Sequence, residues 1–321
     1  MSHVSVTMKP LPRLTPVFAI SAGMLLLASC GDPEPISKDR ADGKLSVFVS
    51  IPPQAGFVQA IGGEHVVVQS FAGEGQDPHQ ISVSPKQMSQ LGKAHVYFSV
   101  GMPFEELLLK KVAGQPNAPE LVDTTAGVAG RDFIEGCTHD HDHDHDEEGH
   151  DHDHDHDHGE TDPHIWLAPK QIKTQVQTIA ASLKKLAPDH ADEFDANLAA
   201  YLKKLDALDL AISDKLDPHL GSTFFVYHPA FGYFADAYGL YQEPVETGGQ
   251  NPTPKGLTEF IAKAKEQEAK VIFVQPQFDK SNAETVAKEI GGRVVPLDPL
   301  DEDVLGNLET IAESIASALT Q

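Results

Sequence analysis

KLSVFVSIPPQAGFVQAIGGEHVVVQSF, residues 44–71, is the stretch on which the fold turns. Apolar, β-branched runs at Lys44–Ile51 and His65–Phe71 read as strands, and the segment between them, Gln54–Ile61, reads as a helix. A strand returned to its starting edge by a helix pairs in parallel with the next strand. The same alternation continues outward, with strands at His95–Val100 and Glu120–Val122 and helices at Pro85–Leu91 and Pro103–Val112. The second half repeats it. Strands are predicted at Thr223–Tyr227, Lys270–Val274 and Arg293–Leu297, and helices at Pro229–Tyr238, Pro254–Glu268, Ser281–Ile290 and Asp303–Leu319. Between the halves, Ile172, Val176, Ile179 and Leu183 recur at helical spacing within Pro169–Leu186, and a second helix, Asp189–Leu216, follows Pro188. The expected fold class is α/β: two similar βα lobes with mainly parallel sheets, joined by one long linker helix. The corresponding organisation is an N-terminal lobe at 44–168, a linker helix at 169–187 and a C-terminal lobe at 188–321. A helical linker is stiffer than a loop hinge, so lobe closure should be modest.

Within the first lobe lies a segment of different character. Residues 139–158 hold nine histidines (His139, His141, His143, His145, His150, His152, His154, His156 and His158), interleaved with eight aspartates. Imidazole with carboxylate suits borderline divalent ions such as Zn²⁺, whereas calcium or magnesium sites are built from oxygens. A solvated acidic linker or an affinity tag is the plainer reading, but neither needs histidine at nearly every second position. Having no apolar residue to bury, the loop spanning 138–161 is expected to stay disordered. The run carries −10 of the formal net charge of −24. The remaining acidity argues against nucleic acid as a partner and suits cations.

At the N-terminus, Lys9 and Arg13 precede an apolar stretch, Leu14–Ala28, which ends in Leu27-Ala28-Ser29-Cys30. It is too short to span a bilayer and resembles a bacterial lipoprotein signal at residues 1–29, with Cys30 lipidated and residues 30–43 as a tether. With Cys30 lipidated, Cys137 has no partner for an intrachain disulfide; it is either an additional zinc ligand or an exposed thiol.

Ligands of open α/β sheets bind beyond the carboxyl ends of the strands. Four metal-ligating side chains occupy such positions: His79 after the second strand, His164 after the histidine run, His228 ending the strand Phe224–Tyr227, and Asp298 ending the strand Val294–Leu297. Two come from each half, which places the expected metal site between the lobes. The third Asp-Pro-His string, Asp217-Pro218-His219, precedes a strand and is rejected. His65 and His95 begin strands and His190 lies near a helix start, positions suited to surface or capping roles.

The strings Asp162-Pro163-His164-Ile165-Trp166-Leu167, Tyr227-His228-Pro229-Ala230-Phe231, Gln275-Pro276-Gln277-Phe278 and Leu297-Asp298-Pro299-Leu300 carry a resemblance. From about Lys44 onward the chain resembles the zinc-specific solute-binding lipoproteins of bacterial ABC importers, the cluster of ZnuA-like and manganese-binding proteins. That resemblance implies histidine ligands at His79, His164 and His228; manganese members tend to carry a carboxylate at the third position. It leaves the fourth ligand open between Asp298, water and a loop carboxylate, for which Glu74 is a candidate. Many relatives have Glu where this chain has Gln275, a departure not expected to touch the metal.

Three imidazoles with one carboxylate form a tetrahedral site preferred by Zn²⁺ over Mn²⁺, with affinity expected to fall below pH about 6.5, where free histidine protonates. The chain has no His-Glu-x-x-His, no Gly-x-Ser-x-Gly elbow, no phosphate loop and no dinucleotide fingerprint, so no enzymatic activity is expected. The implied role is extracytoplasmic: zinc capture, recruited by the histidine run, and delivery to an ABC permease with its ATPase. The protein would be a monomer held to a membrane by the lipid on Cys30. A manganese importer component and a surface adhesin or metal buffer are the alternatives. The one tryptophan, Trp166, should report binding by fluorescence besides packing in the core.

Overall fold

The computed structural model describes residues 43–132, 161–246, 252–278 and 280–320. The expected signal segment with Cys30, Cys137 and the histidine run lie outside the described residues.

The first half contains β1 (Leu45–Val49), α1 (Pro52–Gly62), β2 (Val66–Ser70), α2 (Pro85–Leu91), β3 (Val96–Ser99), α3 (Pro103–Val112) and β4 (Glu120–Asp123). Helices α4 (Pro169–Leu186) and α5 (Ala191–Leu216) follow. The second half contains β5 (Thr223–Val226), α6 (Gly232–Ala237), β6 (Tyr241–Pro244), α7 (Pro254–Glu266), β7 (Val271–Val274), α8 (Ser281–Glu289), β8 (Arg293–Pro296) and α9 (Val304–Leu319). The strands form two sheets, ordered β2-β1-β3-β4 and β6-β5-β7-β8, and every pairing is parallel. Both sheets thus share one topology. In each, the chain adds its second strand on one side of the first and its third on the other, opening a crevice at the carboxyl edge.

Strand periodicity explains the layers. Val47, Val49, Val96 and Phe98 of the first sheet, with Phe224, Val226, Val271 and Phe273 of the second, point into one continuous apolar core, which α1, α4, α5 and α9 also enter. The alternate residues point outward: Phe48 and Tyr97 into a satellite core with α2 and α3, and Phe225, Ile272 and Val274 into another with α7 and α8. Each sheet is therefore covered on both faces, as parallel sheets require. A core shared by both halves resists wide opening.

Helix α4 occupies the stretch expected to link the lobes, and its stripe Ile172, Val176, Ile179 and Leu183 is fully buried, each side chain contributing about 1.5–3 kcal/mol. Yet α4 packs on α1 and α5, whereas the helix with substantial packing on both halves is α5, against α1 and α9. The reason is length: the 26 residues of α5 extend about 39 Å, against about 27 Å for the 18 residues of α4. Strand β6 was not anticipated. Its sequence, Tyr-Gln-Glu-Pro, lacks an apolar pattern and ends in proline, which an edge strand tolerates.

Candidate metal centre

Three histidines meet at the facing carboxyl edges of the sheets. His79 stands on a 3₁₀ turn, Pro78–Gln80, beyond β2; His164 precedes another, Ile165–Leu167; His228 lies two residues past β5. Their ring centroids are 4.9 Å (His79–His228), 5.3 Å (His79–His164) and 5.3 Å (His164–His228) apart. One ring nitrogen of each lies within 4.8 Å of the others, and the Nε2 atoms of His79 and His164 are 3.4 Å apart. The cavity they line, with Trp166, Gln277, Phe278 and Leu300, has a volume of about 10 Å³, roughly one water or one ion.

Local chemistry fixes two of the rings. Asp162 Oδ1 accepts from both the backbone N–H (3.0 Å) and Nδ1 (2.7 Å) of His164, and the buried Glu246 accepts from His228 Nδ1 at 2.7 Å. A carboxylate on Nδ1 assigns the proton there and leaves Nε2 as the lone-pair donor. Strand register explains the second pair. Beside β5, β6 runs with an offset that sets Glu246 opposite His228, and β7 likewise sets Gln275 there. Gln275 holds the His228 backbone from both sides, accepting from its N–H (3.2 Å) and donating to its carbonyl (2.7 Å). An amide serves both contacts without a proton.

Asp162 is itself anchored. Arg131 donates to its Oδ2 at 2.9 Å and to Asp236 at 2.9 Å, joining the residues before the histidine run to the second half. Gly232 leaves room for this pair, since a Cβ there would meet the Arg131 guanidinium and displace it. Although burial raises the Asp162 carboxyl, His164 and Arg131 together hold it below the ordinary aspartate range. Trp166 packs 5.2 Å from His164 and donates its indole N–H to the Pro299 carbonyl, 2.7 Å away across the lobes, while Phe278 stacks on His228 at 4.8 Å.

Burial, then the neighbouring rings of His164 and His228, lowers the His79 pKa from 6.5 to about 2. Burial also lowers that of His164, against the opposing pull of Asp162. In both rings burial thus favours the neutral imidazole, the form a metal requires.

The fourth expected ligand does not join them. Asp298 stands beyond β8 as expected, but its Oδ1 is taken by Gln277 Nε2 (2.8 Å) and the Leu300 N–H (2.9 Å), and it is absent from the group of mutually close ligand atoms. These two bonds tie its Oδ1 to the turn that carries Pro299 and Leu300. Glu74 is exposed on the loop before His79 and is likewise outside the group. His219 stays in a 3₁₀ turn before β5, away from the group. Glu246, Arg131 and the role of Gln275 were not foreseen; only the register of β6 and β7 on β5 points to Glu246 and Gln275.

The sequence profile described as "ZnuA: Zinc-uptake complex component A periplasmic" matches residues 47–319. The high-affinity zinc uptake system protein ZnuA of Bacillus subtilis (strain 168) is 31% identical over 290 residues, covering 89% of this chain and 88% of that protein. A crystal structure of ZnuA superposes with a TM-score of 0.76 at 34% identity, covering 86% of this chain and 99% of the other. A ZnuA deletion mutant with zinc bound gives 0.75 at 34% identity, covering 86% and 98%. A profile match over nearly the whole described fold, with a histidine triad at its cleft, places the chain in the ZnuA family of zinc-uptake binding proteins.

Proposed function

We propose that this chain captures Zn²⁺ between its lobes, on His79, His164 and His228, and delivers it outside the cytoplasm to an ABC permease. Members of the family are substrate-binding transport components working with a permease and an ATPase, not enzymes. The observation that carries the site is the three-histidine convergence, with one nitrogen of each ring within 4.8 Å of the others. Among the described residues no carboxylate completes that group, so water is the best fourth donor, in preference to Asp298 or Glu74. The close approach of the His79 and His164 Nε2 atoms, 3.4 Å, leaves one shared position where a cation replaces a proton. Three neutral imidazoles and a water favour Zn²⁺ over Mn²⁺, which prefers more oxygens.

The histidine run, His139 to His158, is the recruiting element, raising the local concentration of zinc beside Asp162 and His164. Lipidation of Cys30 would hold the protein at a membrane, as a monomer facing its permease. The test is growth: a strain lacking its own zinc-binding component should be rescued under zinc limitation by the intact chain and not by His164→Ala. Rescue by His164→Ala would remove the cleft from the account.

A further inference from the structure

We propose that His65, His190 and Glu193 form a second, weaker site for a borderline divalent ion such as Zn²⁺, on the far side of the first lobe from the cleft. One ligand atom of each lies within 4.8 Å of the others, and with the cleft triad these form the two such groups among the described residues. His65 closes the short 3₁₀ turn Gly63–His65 before β2, His190 caps α5, and Glu193 lies in the first turn of α5. All three stand at the amino edge of the first sheet, opposite the carboxyl edge that carries His79.

The geometry exceeds what a surface ion pair needs. Glu193 Oε2 is 2.8 Å from His65 Nε2, and a second imidazole, that of His190, lies on the first with centroids 3.7 Å apart and planes 17° from parallel. The buried Phe194 forms an apolar floor, 5.9 Å from His65 and 6.3 Å from His190. A divalent ion taking the place of the proton between His65 Nε2 and Glu193 Oε2 would gain one imidazole nitrogen and one carboxylate oxygen, with the His190 ring beside them. Two nitrogens and one oxygen are the donors of an open zinc site, with water in the fourth position. A bound ion requires the rings to turn out of their stack, which the partly exposed His65 and His190 allow.

The positive end of the α5 dipole opposes a cation here. Glu64 on the His65 turn, with Asp189 and Asp192 beside His190 and Glu193, adds negative charge that offsets it. Compared with the cleft, this site is more exposed, and His190 has no carboxylate on its ring among its recorded contacts, so it should fill after the cleft. Its consequence would be mechanical: α5 packs on both halves, and an ion at its first turn would tie it to the β1–β2 connection.

Crystals of the full chain grown with excess Zn²⁺, measured for anomalous scattering at the zinc edge, test the site. The expected result is a peak bounded by His65, His190 and Glu193, in addition to one in the cleft, and its loss in His190→Gln with the cleft peak retained. A filled cleft without the second peak overturns the proposal. So does a second peak whose shell depends on a neighbouring molecule, or one that survives in His190→Gln. In solution, imidazole ¹⁵N resonances of His65 and His190 should move together once the cleft is saturated; resonances that stay fixed overturn it equally. An empty cleft with a filled second site would instead overturn the cleft reading alone.

Discussion

At the end of its first strand, each lobe makes a different use of the same position. The β2 partner Ala72 donates to the Ser50 carbonyl just as Glu246 donates to that of Tyr227, so Ile51-Pro52 in one lobe corresponds to His228-Pro229 in the other. Both places hold a buried carboxylate, Glu105 at 2% exposure and Glu246 at 5%. Glu105 is turned inward: it accepts from the Ser50 hydroxyl and from the N–H groups of Val100 (3.0 Å) and Gly101 (2.8 Å), while Ser50 also bonds the Tyr97 hydroxyl at 2.7 Å. Glu246 spends its oxygen on an imidazole. One carboxylate closes a structural network; the other aims the imidazole proposed as a zinc ligand. What sets the second lobe's position apart is the histidine at the strand end, since the buried acid and the topology are common to both.

The comparison breaks most sharply at the ligands. His164→Ala or His228→Ala should weaken zinc binding by at least about 100-fold, beyond the roughly 10–100-fold typical of an outer-carboxylate loss. Equilibrium competition with a chelator reads it, and a loss under tenfold would contradict the assignment. Next come the aiming carboxylates: Asp162→Asn and Glu246→Gln should each cost about 10–100-fold in affinity while the protein stays folded. Of the two, Asp162→Asn should cost more, because it also loosens Arg131. Glu105→Ala should do the reverse. By orphaning the Val100 and Gly101 N–H groups it should destabilise the fold by about 3 kcal/mol in denaturant melts and leave zinc affinity unchanged. A zinc defect there would erase the contrast between the lobes.

The smallest effect is on pH. His79 is held at about 2 against 6.5 when free, so the unfolded chain binds a proton that the folded apo protein refuses. Stability is fully present above pH 6.5 and is lost as pH falls toward the folded value, by up to about 1.4 kcal/mol per unit from this group. At His79 the competing proton is already absent well below pH 6.5, so this ligand should not itself weaken zinc binding there. Melting temperatures of the apo protein and zinc titrations at pH 7.0 and 5.5 check both; an apo protein equally stable at the two values would contradict the burial of His79.

Much of this was legible in the chain, for physical reasons. Central strands buried on both faces must be continuously apolar, so Leu45–Val49, Thr223–Val226 and Val271–Val274 announced themselves; positions beyond strand ends then singled out His79 and His228, and the place directly after the histidine run singled out His164. The edge strand β6 was not legible, since one polar, proline-ended strand has no period to read, and Glu246 was hidden with it. Asp298 had the right topology, but whether a strand-end carboxylate faces the cleft or its own turn depends on side-chain partners such as Gln277. His65 and His190 looked unremarkable because they meet only when α5 packs beside β2, 125 positions apart in sequence.

The most direct test removes the histidine run and asks what remains. Zn²⁺ and Mn²⁺ should be titrated calorimetrically into the mature protein lacking residues 139–158, beside the same protein carrying His228→Ala. One tight zinc site that weakens sharply in the variant, with poor manganese binding, is the result expected of an interlobe site. If tight binding disappears with the run alone, the run is the principal metal site, and the metal buffer or adhesin reading takes the place of the cleft.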